Sequence, residues 1–151
     1  YIQKPFRIEY VKIKIIRLLE DRKRLQEQFL KKLRENHHVI IEPEQPGNID
    51  DLFLRRLLEQ LEEVYTDSEF NVERLSDLLC ISRGHLYRKV KDTTGITPVE
   101  FLRNFRLGKA VQLLQERKLS ISEIAYQTGF TSPSYFTKCF KIVYNTTPTE
   151  L

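Results

Sequence analysis

Two short sets of side chains, at an offset of 50 residues, have the chemistry to touch a polyanion. The first is Ser82, Arg83, Gly84, Tyr87 and Arg88. The second is Ser132, Pro133, Ser134 and Lys138, with Lys141 beyond. A serine that caps a helix leaves backbone N–H groups at the helix start, where a phosphate oxygen fits. An arginine in the next turn can grip guanine through two parallel hydrogen bonds. Leu86 and Val90 bury one face of the first helix, which turns Arg83, Gly84, Tyr87 and Arg88 outward. Phe136 and Phe140 do the same in the second and expose Pro133, Ser134, Thr137 and Lys138.

Both sets need a helix held against another helix, and the sequence repeats that arrangement. Residues 71–102 and 120–151 match at an offset near 50. Ser82 pairs with Ser132, Leu86 with Phe136, Val90 with Phe140 and Lys91 with Lys141. Gly95 pairs with Asn145, the next best residue for a left-handed cap. Thr97-Pro98 pairs with Thr147-Pro148, and Glu100 with Glu150. Upstream the offset is 49, so the second copy has one extra residue in its turn, next to Gly129. Each copy reads as helix, short turn, capped helix, which is the geometry that lays a second helix in a major groove.

The remaining elements follow from caps and apolar spacing. Asp50 or Asp51 caps a helix over 52–65 with Leu54, Leu57, Leu58 and Leu61 inward. Asn71 caps a short helix carrying Leu75 and Leu79. A long helix runs from Pro98 to about Arg117, and its Phe101, Phe105 and Leu113 are expected between two subdomains. Ser120 or Ser122 caps the next helix, which Gly129 closes, and Pro148 begins a last one. The predicted class is all-α: two helix-turn-helix subdomains joined by a long central helix, preceded by a long N-terminal helix over 7–36.

That N-terminal helix carries a heptad-like stripe, Val11, Ile15, Leu18, Leu25 and Phe29, interrupted by Arg22. Pro43, Pro46 and Gly47 mark a linker over 37–49. Charge follows the same divisions. Residues 1–36 hold 11 Lys/Arg against 5 Asp/Glu, 37–71 hold 2 against 9, and 72–151 hold 12 against 7. An acidic stretch thus parts two basic ones, which fits a polyanionic partner for the ends. With 40% apolar residues and no CxxC spacing for Cys80 and Cys139, neither disorder nor a disulfide or zinc scaffold is expected. There is no secretory signal and no bilayer-length apolar run. A reducing cytoplasm fits.

Residues 50–151 resemble the DNA-binding domain of AraC-family transcription regulators. The second unit carries the most diagnostic residues: Gly129-Phe130, Ser132, Tyr135-Phe136, Lys138 and Phe140-Lys141. The resemblance implies two recognition helices in successive major-groove segments. It places base contacts on Gly84, Tyr87 and Arg88, and on Pro133, Ser134 and Lys138. Gly84 has no side chain and Pro133 no polar group, so the second unit is expected to lean on phosphates and shape. Residues 1–36, from "YIQKPF" into a basic apolar helix, resemble the last strand, Lys-Pro turn and last helix of a receiver domain. That order is similar to hybrid two-component regulators and implies a fragment of a bacterial signalling protein, whose full-length parent sits at the inner membrane. Double-stranded DNA is the expected partner, with RNA polymerase and self-association through 7–33 beside it. No membrane contact by this segment, metal or cofactor is expected.

A second reading is a helical scaffold, with 7–36 as a dimerising coil and the repeat used for protein contacts. Salt dependence of binding separates the two. Adjacent His37-His38 reads as exposed linker rather than a metal site. Cys80 and Cys139 read as small core residues, and His85 equally as a phosphate or base contact or as a packed or solvated side chain. No nucleophile–base set, carboxylate pair or phosphate-cradling glycine loop is visible, so no enzyme is expected.

Overall fold

The structure is a computed structural model, and it describes residues 49–151 together with Arg24, Glu27 and Lys31, which are helical and exposed. The readings of 1–48 (receiver remnant, long helix, linker, self-association stripe) lie outside the described residues. Six helices follow in order over 49–151: α1 Ile49–Val64, α2 Val72–Leu78, α3 Arg83–Thr94, α4 Pro98–Glu116, α5 Ile121–Gln127 and α6 Pro133–Tyr144. No strand occurs among the described residues.

The repeat is exact in length. α2 and α5 have 7 residues each, and α3 and α6 have 12 each. The turns explain why. After α2, the Cys80 N–H donates to Asp77 O and the Ile81 N–H to Ser76 O; after α5, Gly129 donates to Tyr126 O and Phe130 to Ala125 O. Both are the same left-handed termination, which satisfies the last helical carbonyls. The extra residue of the second copy is Thr131, between Phe130 and the Ser132 cap. Further along, Gly95 (φ 82°) and Asn145 (φ 56°) close α3 and α6, each donating to the lysine carbonyl four residues back.

Two cores form, and α4 serves both. Phe101, Leu102 and Phe105 complete a first core with Leu57 and Leu61 of α1, Leu75 of α2, and Leu86 and Val90 of α3. Leu107, Ala110 and Val111 complete a second with Ile124, Phe130, Phe136 and Phe140. A helix apolar on several sides is one covered on several sides. At roughly 25 cal/mol per Å² of apolar area, each fully buried Phe or Leu contributes about 1.5–3 kcal/mol.

Several expectations are corrected. α1 opens at Ile49, so Asp50 and Asp51 occupy its first turn rather than cap it; acidic residues suit both places, and the sequence alone does not separate them. Ser120, not Ser122, caps α5. Phe101 and Phe105 belong to the first core and the partly buried Leu113 packs on the second, so the three do not share an interface. Pro148 opens only a turn. Cys80 is exposed, with φ 55°, because it holds the left-handed position that Gly129 holds in the second copy.

Candidate nucleic-acid interface

The first turn of α3 is built by its cap. The Ser82 hydroxyl accepts from the His85 N–H at 3.2 Å. The N–H groups of Arg83 and Gly84 then have no carbonyl ahead of them in the helix. Leu86 and Val90 are fully buried, while Ser82, Arg83, Gly84, Tyr87 and Arg88 are exposed. The predicted face therefore points outward. Arg83 is not idle: its Nη2 meets Glu73 Oε1 at 2.6 Å, tying α3 to α2. Both partners are about half exposed or more, so the pair adds little stability and mainly sets direction. His85 is exposed.

α6 repeats the plan. The Ser132 hydroxyl accepts from the Tyr135 N–H at 3.3 Å. Ser134 and Lys138 are exposed and Pro133 is partly buried. Lys141 stands in the last turn, roughly 13 Å along the axis from the cap at 1.5 Å per residue; Glu150 is held below its ordinary value chiefly by hydrogen bonds from Thr147, with the Lys141 charge a minor contributor. Lys141 does not share the first-turn surface with Ser132 and Ser134. The Tyr135 phenol is held above its ordinary value, chiefly by its hydrogen bond to the buried Cys139 thiol.

What fixes the two helices relative to each other is a joint that the sequence reading passed over. Arg106 of α4 donates from Nε to Tyr65 O at 2.9 Å and from Nη2 to Asp67 O at 2.6 Å, closing the end of α1 and the loop after it. Burial pushes its pKa down, and Asp67 opposes the shift. Gly129 closes over this joint: a Cβ there would lie 2.1 Å from Tyr65 O and 2.8 Å from Arg106 Nε. One turn on, Lys109 reaches Glu62 at 2.6 Å, with its charge above the rings of Tyr65 and Phe105. The available signal was two cations, Arg106 and Lys109, set among the apolar positions of α4.

The first turns of α3 and α6 border one cleft of about 580 Å³. Its walls are Tyr87 and Gly84 from α3, Val99 and Leu102 from α4, and Phe130 and Tyr135 from the second unit. Among the described residues no group of His, Cys, Asp and Glu could hold a metal. No described helix is long and apolar enough to cross a membrane.

Comparison with known proteins agrees with this geometry. The helix-turn-helix domain family matches residues 75–151. A histidine kinase P4 of Formosa agariphila is 37% identical over 150 residues, which is 99% of this chain and 11% of that protein. This chain thus spans about a tenth of that relative. The C-terminal domain of the two-component response regulator yesN of Fusobacterium nucleatum superposes with a TM-score of 0.61 at 36% identity, covering 66% of this chain and 96% of that one. The DNA-binding domain of AdpA, a global transcriptional factor solved in complex with a target DNA, gives a TM-score of 0.59 at 27% identity, covering 64% and 86%.

Proposed function

The chain belongs to the AraC-type helix-turn-helix family, and from that premise we propose that residues 50–151 are a sequence-specific DNA-binding unit that regulates transcription. The carrying observation is the duplicated, equally long capped helix, with both outward faces fixed by one central helix. In this reading α3 and α6 enter successive major-groove segments. Arg88 reads a guanine edge, and Tyr87 packs beside it. Gly84 offers only backbone, and Pro133 offers shape. Ser134 and Lys138 hold phosphates, as do the helix starts at Ser82 and Ser132. Arg83 reaches DNA after leaving Glu73, and Lys141 acts as an outlying backbone contact. The test is affinity for duplex DNA against salt. A steep linear fall of log K with log salt is expected; a flat dependence would favour the protein-docking scaffold.

The parent protein is, in the same proposal, a bacterial hybrid two-component regulator whose receiver end lies in 1–36. The kinase match over 99% of the chain supports it, since that alignment runs through the N-terminal segment as well. The DNA-binding unit acts in the cytoplasm beside RNA polymerase, while the parent is held at the inner membrane. Residues 7–33 self-associate through the Val11–Phe29 stripe. Sedimentation of the full chain against one starting at Ile49 tests this: the longer chain should dimerise, and equal monomer fractions would reject it.

A further inference from the structure

Two arginines three residues apart on α4 meet different fates. Arg106 directs its Nε and Nη2 at the carbonyls of Tyr65 and Asp67. Arg103 lines the cleft, and its Nε is shut off from solvent with no hydrogen-bond partner. A buried donor left unmade is costly, more so when it is charged. Arg103 as a whole is only partly buried and lines the cleft, so a ligand there can still reach the side chain. Glu100, whose carboxyl feels the Arg103 charge, does not complete that donor: it is committed to the Thr97 cap, accepting from the hydroxyl at 2.8 Å and the N–H at 2.9 Å.

The cleft itself says what would complete it. It opens between Arg83, Gly84 and Tyr87 at the start of α3 and Tyr135 at the start of α6, so whatever spans the two recognition helices passes over it. Val99, Leu102 and Phe130 make its wall apolar, and Arg83, Arg103 and Arg106 against one acid, Glu73, leave it net positive. A sugar–phosphate strand matches that pattern, because deoxyribose presents apolar faces between anionic oxygens. A guanidinium suits phosphate with two parallel hydrogen bonds.

Resting on the DNA-binding reading above, we propose that Arg103 clamps the backbone phosphate that crosses between the two recognition helices. It thereby sets the spacing of the two half-sites and not their sequence. The clamp is independent of Arg88 and Lys138, which lie on the helices themselves.

The test pairs a protein change with a DNA change. Arg103→Gln is compared with the parent chain on a selected duplex and on the same duplex carrying neutral methylphosphonates between the half-sites. Arg103→Gln should bind roughly tenfold more weakly, with the slope of log K against log salt lower by about 0.9. The neutral backbone should cost the parent a similar factor and the variant nothing further. Equal losses in both proteins, or an unchanged slope in Arg103→Gln, would overturn the clamp and leave the guanidinium to another ligand. The parent chain with the modified duplex carries the test even if the variant folds poorly: no loss there also overturns it. Failure of the parent chain to bind any duplex would instead remove the DNA-binding reading itself.

Discussion

Gly129→Ala should be far more damaging than a glycine in a surface turn suggests, and the repeat supplies its own control. Gly129 and Cys80 hold the same left-handed position in the same helix termination, at φ 79° and 55°. A side chain there costs about 1 kcal/mol in conformation alone. Cys80→Gly measures that cost in isolation, because Cys80 is exposed; part of the gain is lost to the freer unfolded chain, leaving a stabilisation of about 0.5 kcal/mol. At Gly129 the added carbon would stand 2.1 Å from Tyr65 O, which is backbone, and 2.8 Å from Arg106 Nε. The carbonyl must move, and the 2.9 Å Arg106 bond to it goes with it. A hydrogen bond to a charged group contributes about 1.5–3 kcal/mol. Gly129→Ala should therefore cost about 2.5–4 kcal/mol. That lowers Tm by roughly 10–30 °C in a domain of this size. Urea unfolding of both variants is the assay. In Arg106→Ala the Gly129→Ala cost should shrink towards the conformational part, a non-additivity of neighbours. If Gly129→Ala costs no more than Cys80→Gly gains, the close approach is not a constraint and the joint is misread.

Other outcomes follow from the site and the caps. Arg88→Ala should cost roughly 1–3 kcal/mol on the preferred duplex and relax specificity at about one base pair, while Lys138→Ala should weaken selected and scrambled duplexes alike and lower the salt slope by about 0.9. Equal losses on both duplexes for Arg88→Ala would make it a phosphate contact. Acid should weaken the fold through its caps. Glu100, Glu123 and Glu150 are each held below the ordinary 4.5, chiefly by hydrogen bonds from Thr97, Ser120 and Thr147. A depressed folded pKa gives stability that is whole above the unfolded value and lost as pH falls through the folded one. Denaturation midpoints should fall below about pH 4.5, and the Glu100→Gln/Glu123→Gln double variant should show a flatter fall; identical pH profiles would refute the assignment.

The repeat was legible because every feature that fixes it is local. Serine caps, proline at the first helical position, the Gly95 and Asn145 stops and the apolar pair one turn apart are all read within a dozen residues. The outward face of α3 followed from the same periodicity, and that of α6 in part, since Pro133 and Thr137 are partly buried. The joint was not legible, because Arg106 and Tyr65 are 41 residues apart in sequence and the acceptors are backbone carbonyls that any residue carries. Gly129 disclosed its conformation but not its neighbour. Cys80 misled for a related reason: a small thiol reads as core, and only alignment of the two turns shows that it fills a glycine's position. Nothing local in the sequence marks Arg103; only the folded cleft sets it apart from the other cations of α4.

In the proposed reading α3 and α6, held by one central helix, read one face of duplex DNA. Binding selection from random duplex DNA tests it most directly. Enrichment of a two-part motif is expected, its blocks about 10–10.5 base pairs apart from centre to centre, with a guanine-bearing block lost in Arg88→Ala. A single block that no α6 substitution alters, or no enrichment over scrambled duplex, would contradict it.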